Sequence, residues 1–133
     1  MASECQKLRE RLDRVFSIFI RLKYTNHQGY CPCYTCDNRF PYKEMDCGHF
    51  IRRQHSSVRF DENNCRPQCP TCNRDNDGME EAFDENLRDE LGDEAVEELL
   101  EKGRREKQFD ENEYRELIHK YTYEIERKGV KVR

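Results

Sequence analysis

Eight cysteines in a chain of 133 residues are the first candidates for chemistry. Four of them form two C-x-x-C pairs, Cys33-Tyr-Thr-Cys36 and Cys69-Pro-Thr-Cys72. Each pair can offer two thiolates from one tight turn, and four cysteines are a usual ligand set for structural zinc. A redox C-x-x-C would need a thioredoxin-like βαβ pattern, which neither pair has, and separate disulfides are the remaining alternative. We therefore predict one structural zinc site.

The other four cysteines lack this spacing. Cys31 lies two residues before Cys33 and could replace it as a zinc ligand. We interpret Cys5, Cys47 and Cys65 as small buried hydrophobic residues. The alternative hypothesis for two of them is a second zinc ion bound by Cys47, Cys65 and a histidine.

A group of polar residues lies between and beside the two cysteine pairs. Asp46 and His49 stand in the run M-D-C-G-H-F at 45–50, Asn64 precedes the second pair, and Asn73 follows it directly. A histidine with a pKa near neutrality can act as general base on a water molecule. Asp46 and the side-chain oxygen of Asn73 could hold a hard divalent ion, Mg²⁺ or Mn²⁺, against a phosphate. We expect Asn64 to orient the ring of His49.

Helices and short strands must position these residues. Apolar residues at helical spacing predict a first helix over 3–24, with Ser3 as N-cap. Strand signals fall in 30–60 and predict a β-hairpin whose second strand lies near 45–51. The composition of 61–78 is typical of a loop. Further helices are expected from about Asp77 to Leu91, from Asp93 to Lys102, and from Asp110 to Gly129. The apolar stripe of the last helix is predicted to pack in the core, with a dimer contact as the alternative.

The net charge of −4 conceals a division along the chain. Residues 1–60 carry a net charge of +5, whereas residues 75–101 carry −12. The average charge therefore does not exclude a nucleic-acid partner. We predict that the acidic helix has a solvated face that repels DNA, with docking onto the basic first helix of a second subunit as the alternative.

The order of the polar residues resembles that of HNH endonucleases, which have a treble-clef ββα-metal core. The chain as a whole is similar to the NinG/Rap family of phage recombination nucleases. The matching runs are C-x-x-C at 33–36, D-x-G-H-F at 46–50, R-F-x-E-x-N at 59–64, Q-C-x-x-C-N at 68–73 and E-A-V at 94–96. One departure is Arg66, which stands where the family usually has a histidine.

The resemblance implies an α+β fold in a single domain, 1–133. A zinc-stapled ββα nuclease core would span 30–91, flanked by an N-terminal helix at 3–24 and C-terminal helices at 93–129. The implied activity is structure-specific endonuclease cleavage of D-loops and Holliday junctions by metal-dependent phosphodiester hydrolysis. The layout also resembles the endonuclease VII resolvases. By analogy with them, Asp46 and Asn73 would hold the catalytic Mg²⁺ or Mn²⁺ and His49 would be the base.

A basic segment follows His49 and is predicted to lie along the DNA backbone. Contacts to phosphates position DNA without identifying bases, which suits an enzyme that recognises branch shape. An ordinary charged loop is the alternative interpretation. The predicted DNA-binding residues are Arg52, Arg53, His55, Arg59 and Arg66.

The location is predicted from the apolar content of the chain, and the partners from the symmetry of the expected substrate. The chain has neither an 18-residue apolar stretch nor an apolar signal segment at 1–10, so we expect no membrane contact and a cytoplasmic location in a bacterial host cell. A four-way junction has near two-fold symmetry, which favours a homodimer with paired active sites. Phage recombination proteins are further expected partners. Two other functions stay open: a non-catalytic zinc-dependent junction-binding protein, and a zinc-finger module for protein interaction.

Overall fold

The computed structural model describes residues 2–132, which form an α+β arrangement of five helices and two small antiparallel sheets. A π-helical turn, Thr71–Asp75, precedes the third helix. The elements in chain order are α1 (Glu4–Lys23), β1 (Tyr30–Pro32), β2 (Arg39–Pro41), β3 (Asp46–His49), α2 (Ser56–Arg59), β4 (Cys65–Gln68), α3 (Glu80–Leu91), α4 (Asp93–Gly103) and α5 (Glu111–Glu126).

The first and last helices pack against each other and form the largest core. Ser3 caps α1, because its hydroxyl accepts a hydrogen bond from the backbone N–H of Gln6 at 3.1 Å. Asp110 and Glu113 form a reciprocal capping box at the start of α5. Phe16 of α1 meets Tyr121 of α5 edge-to-face, with ring centroids 5.0 Å apart. The starts of α1 and α5 predicted from capping are therefore confirmed.

The strands pair differently from the predicted hairpin. Two separate sheets are present: β1 pairs with β2, and β3 pairs with β4, both antiparallel. The prediction that residues near 45–51 form the second strand of a hairpin is wrong, because β3 is the first strand of its own pair. In that pair Asp46 lies opposite Gln68, and His49 lies opposite Cys65. The candidate catalytic strand thus runs directly beside the segment that leads into the second cysteine pair.

Strand β4 lies in a stretch whose composition predicted a loop. All four of its residues, Cys-Arg-Pro-Gln at 65–68, are buried. The Gln68 amide nitrogen has partners there: it donates to the hydroxyl of Thr35 at 3.0 Å and to the carbonyl of Gly78 at 2.8 Å. The side-chain oxygen of Gln68 is buried and has no hydrogen-bond partner among the described residues. A Cβ at Gly48 would collide with the Gln68 side chain, so only glycine fits beside it.

The acidic helix begins later than predicted. It starts at Glu80, because Asp77, Gly78 and Met79 all have positive φ and turn the chain before the helix. Gly92 ends it, as expected. Its apolar face packs with α4 and, through Phe83, against the ring of Phe50 just after β3. The acidic segment is therefore fixed to the same strand that carries His49. Within residues 2–132, no helix combines the length and apolar character needed to cross a membrane.

Candidate metal centre and active-site cleft

The two C-x-x-C pairs come together as predicted. One Sγ atom from each of Cys33, Cys36, Cys69 and Cys72 lies within 4.8 Å of the others, and the Cys36 and Cys69 sulfurs are 3.8 Å apart. Tetrahedral zinc with Zn–S bonds of about 2.3 Å places its sulfurs roughly 3.8 Å apart. The four cysteines form a cluster that could hold a metal ion such as zinc.

Backbone donors around the cluster suit thiolates. The N–H of Cys69 donates to the Cys33 sulfur at 3.3 Å, and the N–H of Cys72 donates to the Cys69 sulfur at 3.4 Å. Burial alone would raise the pKa of Cys33, but these and neighbouring donors outweigh it and lower the pKa to about 6. Burial and thiol neighbours instead raise the pKa of Cys72 to about 12. A bound cation would stabilise the thiolates of all four cysteines together.

A cleft of about 380 Å³ lies between α1, β3 and the turn that follows Cys72. Asp46, His49 and Asn73 all line it, together with Arg74 and residues of α1. Asn73 reaches the cleft because it sits in the π-helical turn directly after Cys72. A second cleft of about 270 Å³, lined by the loop after β3 and the start of α3, shares His49 and Asn73 with the first. Three of the four predicted catalytic side chains therefore share one cavity.

His49 is held in a defined tautomer. Its Nε2 lies 2.9 Å from the backbone carbonyl of Arg59. A carbonyl can only accept, so Nε2 must carry the proton and Nδ1 is the basic nitrogen of the neutral ring. Burial lowers the pKa of His49 below its usual value, outweighing the opposing effect of the Arg59 carbonyl. The ring is therefore neutral, and able to accept a proton, at neutral pH.

Asn64 does not bond the ring of His49, in contrast to our expectation. It is fully buried, and its side-chain oxygen accepts from the N–H of Ile51 at 2.7 Å. Its amide nitrogen donates to the carbonyls of Ile51, at 3.0 Å, and Val58, at 3.1 Å. Asn64 thus closes the loop between β3 and α2, and it positions His49 only through the adjoining Arg59 carbonyl.

Asp46 and Asn73 are in contact, and Arg74 covers them. The Asn73 amide donates to one Asp46 carboxylate oxygen at 3.0 Å. Arg74 makes a bidentate ion pair with the same carboxylate, at 2.7 and 2.9 Å, while its own side chain is 67% exposed. A carboxylate beside an amide oxygen is a suitable donor pair for a hard divalent ion. Such an ion would have to displace the guanidinium of Arg74.

The basic loop after His49 is tied to α1. Asp13 accepts a bidentate pair from Arg59, at 2.6 and 2.9 Å, and a further bond from Arg53 at 3.1 Å. The Arg59 side chain is 13% exposed, so this arginine holds the loop in place and presents little surface to a ligand. Arg52, Arg53 and His55 are exposed, and both arginines line the second cleft.

Three charged residues of the cleft were not predicted as site residues from the sequence: Asp13, Arg21 and Arg74. Arg74 follows Asn73 directly, which is a local signal that could have been used. The roles of Asp13 and Arg21 depend on helix α1 packing against β3, so no local pattern identifies them. Arg21 donates to the Tyr42 carbonyl at 3.1 Å, and burial lowers its pKa.

A comparison with protein-family models decides the family of this chain. The model described as "NinG: Bacteriophage Lambda NinG protein" matches residues 2–129. The chain belongs to the NinG family. Searches of curated proteins and of solved structures returned no match.

Position 66 of this NinG chain holds a buried arginine, and the prediction that Arg66 binds DNA is wrong. Its side chain is 2% exposed. The guanidinium lies between the rings of Tyr24 and Tyr34, at 5.6 and 5.4 Å, and pairs with Glu90 at 3.1 and 3.2 Å. It also donates to the carbonyls of Glu62 and Cys65, each at 2.7 Å. Arg66 therefore anchors the acidic helix of this NinG protein to β4.

Replacing Arg66 by methionine should destabilise the NinG fold. The change keeps an unbranched side chain between the two tyrosines but removes every donor to Glu90 and the two carbonyls. Because Glu90 is 40% exposed, water screens part of the loss, and we expect the free energy of unfolding to fall by about 2–3 kcal/mol. Urea denaturation at neutral pH measures the difference.

The matched control is Arg104→Met, since Arg104 is 71% exposed and pairs with Glu101 on the surface. That change should leave the free energy of unfolding within about 0.5 kcal/mol of the original.

Burial would raise the pKa of Glu90, but hydrogen bonds from Arg66 and Tyr34 lower it. The contribution of the Arg66–Glu90 pair is therefore present above the unfolded carboxyl pKa of about 4.3 and is lost as the pH falls through the lower folded value. Equal stability of the two variants would contradict an anchoring role.

Proposed function

We propose that this protein is a structure-specific DNA endonuclease of the HNH type, with a treble-clef ββα-metal core, that cuts D-loops and Holliday junctions. The observation that carries the proposal is the single cleft lined by Asp46, His49 and Asn73. The order of the elements, β3 then β4 then the turn bearing Asn73, supports a ββα-metal core. Membership of the NinG family, described from a bacteriophage, supports action on recombination intermediates.

In the proposed reaction, His49 is the general base. Its Nδ1 accepts the proton of a water molecule, whose oxygen then bonds to the scissile phosphorus as the bond to the 3′ oxygen breaks. Asp46 and the oxygen of Asn73 would hold Mg²⁺ or Mn²⁺, which supplies charge stabilisation at the phosphate and at the leaving oxygen. The Arg59 carbonyl keeps the proton of His49 on Nε2 throughout. Zinc at the four cysteines would be structural and take no part in the reaction.

The charged surfaces around the cleft suit a DNA backbone on one side. Arg52, Arg53 and His55 are exposed beside His49, and they would contact phosphates without reading bases. The acidic helix α3 borders the second cleft through Glu80. Its charge would repel a strand there and limit the directions from which a branched substrate can enter.

The test of this function is direct. Labelled four-way junction and linear duplex are incubated with the protein in Mg²⁺, in Mn²⁺ and in EDTA. We expect nicking of the junction in either metal, much less cutting of the duplex, and none in EDTA. Junction binding without cutting in every metal would support the non-catalytic adaptor instead. Absence of binding would support a protein-interaction module.

Arg74→Gln tests whether the ion site is the one at Asp46. Arg74 donates to both carboxylate oxygens of Asp46, so removing its charge should strengthen Mg²⁺ binding there. We expect the Mg²⁺ concentration for half-maximal cutting to fall roughly two- to fivefold, as suits an exposed pair. Arg127→Gln, which removes an exposed ion pair with Glu124 on α5, is the matched control and should have no effect. A higher Mg²⁺ requirement in Arg74→Gln would show that Arg74 assists binding.

We also propose that the protein acts as a homodimer with paired active sites. Closed two-fold dimers are the commonest oligomers, and their symmetry fits that of a four-way junction. Light scattering at micromolar concentration, with and without junction DNA, should give the mass of two chains. A single-chain mass in both conditions would contradict this.

A further inference from the structure

A second group of metal-ligating side chains lies at the pairing of β3 and β4. Cys47 and His49 are two residues apart on β3 and so point to the same face. Cys65 of β4 stands directly opposite His49. One ligand atom from each of the three lies within 4.8 Å of the other two. This group shares no residue with the four-cysteine cluster.

The position of the group gives it access to solvent. Cys47 and His49 are partly exposed and both line the larger cleft, whereas Cys65 is fully buried behind them. A cation entering the cleft would meet a thiol and an imidazole first and a second thiol below. Two cysteines and one histidine around an open fourth position, facing a cavity that admits water, is a known arrangement for zinc.

We propose that Cys47, His49 and Cys65 form a second site for a soft metal ion, Zn²⁺ by preference, and that occupation of this site switches off cleavage. The inhibitory part rests on the proposed function, because it requires His49 to be the base. Binding releases the protons of both thiols and creates two Zn–S bonds and one Zn–N bond, with water as the fourth ligand.

Either ring nitrogen of His49 gives the same result. If the ion binds Nδ1, it takes the lone pair that would accept the proton from water. If it binds Nε2 in place of the proton there, the neutral ring carries its proton on Nδ1, which again has no free lone pair. Mg²⁺ does not compete for this site, because a hard ion prefers carboxylate and amide oxygens to thiolates. Mg²⁺ would therefore bind the oxygen ligands of the cleft, and Zn²⁺ would bind its sulfur and nitrogen ligands.

Metal stoichiometry tests the site independently of any nuclease activity. The protein is first loaded with one equivalent of zinc at the four cysteines. It is then dialysed against micromolar Zn²⁺ with a reductant that does not bind metals, and bound zinc is measured by mass spectrometry. We expect a second equivalent in the unmodified protein and its loss in Cys47→Ser. Cys65→Ala and His49→Gln should also lose it, and thermal melting checks that each variant is folded.

The matched control is Cys5→Ser, because Cys5 is a partly exposed cysteine on α1 outside both clusters. It should keep the second equivalent. A single equivalent in the unmodified protein, or a second equivalent that survives in folded Cys47→Ser, would overturn the site.

The inhibition is measured on junction DNA in excess Mg²⁺, with each variant compared with its own rate before zinc is added. The second equivalent should lower cutting by roughly 100-fold or more in the unmodified protein, the size of a general-base contribution, and should not lower it in Cys47→Ser. Equal inhibition of both proteins would overturn the switch. If the protein cuts no DNA in any metal, the proposed function fails, while the stoichiometry still decides the site.

Discussion

His49→Ala will lower the rate of junction cleavage by roughly 100- to 10,000-fold, the range of a positioned general base, without weakening junction binding. Among the described residues, the ring makes no hydrogen bond to the exposed loop residues Arg52, Arg53 and His55, which are the proposed phosphate ligands. Within residues 2–132, the hydrogen bond of the ring goes to the Arg59 carbonyl. Loss of the ring should therefore remove the proton acceptor and leave the DNA-binding surface in place.

The experiment needs two readouts from the same protein. Single-turnover cleavage of a labelled four-way junction in Mg²⁺ gives the rate, and gel shift in Ca²⁺ or EDTA gives the affinity. His119→Ala is the matched control, since His119 is exposed on α5 and far along the chain from the cleft. It should match the unmodified protein in both measurements. If His49→Ala cuts at the original rate, the base is another group and the proposed mechanism fails.

His55→Ala tests whether His55 only contacts DNA, in contrast to His49, which is the proposed general base. His55 is exposed six residues after His49, at the start of α2. Its loss should weaken junction binding modestly and leave the single-turnover rate at saturating protein unchanged. A large fall in that rate would show that His55 takes part in the reaction. The chemical step and the DNA contact could then not be assigned to His49 and His55 separately.

Local patterns in the sequence were sufficient for α1, α4, the start of α5 and the cysteine cluster, but not for the short helix α2 at Ser56–Arg59 or for the start of α3. Ser3 and Asp110 act on backbone N–H groups three residues away, and Gly92 ends a helix through its own φ of 91°. A C-x-x-C pair is likewise a property of one turn. Features of this kind depend on neighbours in the chain, so they can be recognised before the fold is known.

Strand β4 and the role of Arg66 could not be predicted in the same way. Arginine and proline in a strand of four residues oppose both β-propensity and burial. The strand is stable because its arginine meets Glu90 and two tyrosines from distant parts of the chain, and its glutamine meets Thr35 and Gly78. The partners of Asp13 are also distant in the chain: it forms ion pairs with Arg53 and Arg59, which lie about 40 residues further on. Buried polar residues need partners, and sequence alone does not identify distant ones.

The geometry of the cleft also follows from these distant contacts. Asn64 holds both ends of the loop after β3, and the Asp13–Arg59 pair fixes that loop to α1, so the Arg59 carbonyl stands beside His49. The structure brings three of the four predicted catalytic residues, Asp46, His49 and Asn73, to one cleft, and their roles stay predictions. The hydrogen bond to the ring was assigned to Asn64, but the partner is the backbone carbonyl of Arg59.

Cys72→Ser is expected to abolish retention of the tightly bound metal and to unfold the β1–β2 region with it. The buried hydrophobic residues of that region are Met45 and four cysteines, three of which belong to the metal cluster. Among the described residues, Met45 is the one buried apolar side chain of this region apart from the cysteines, which is too little to replace the metal. Apparent zinc-binding free energies of about 10–16 kcal/mol in small zinc domains are as large as the whole stability of an ordinary domain, about 5–15 kcal/mol.

Cys31→Ala is the matched control for this change, and it also decides whether Cys31 can act as a ligand. Cys31 is as buried as Cys33, yet its sulfur lies 3.6 Å from the carbonyl of Arg21 and outside the cluster. We expect this variant to keep its metal and to lose roughly 1 kcal/mol from a small cavity. The chain contains no tryptophan, so thermal melting is followed by circular dichroism, beside metal content measured by mass spectrometry. Asn73 directly follows Cys72 and donates to Asp46 of β3, so the cleft should be lost together with the metal. Cys72→Ser should then neither cut nor specifically bind junction DNA. A Cys72→Ser protein that melts like the unmodified chain would show that the cysteine cluster packs as a hydrophobic core and needs no ion.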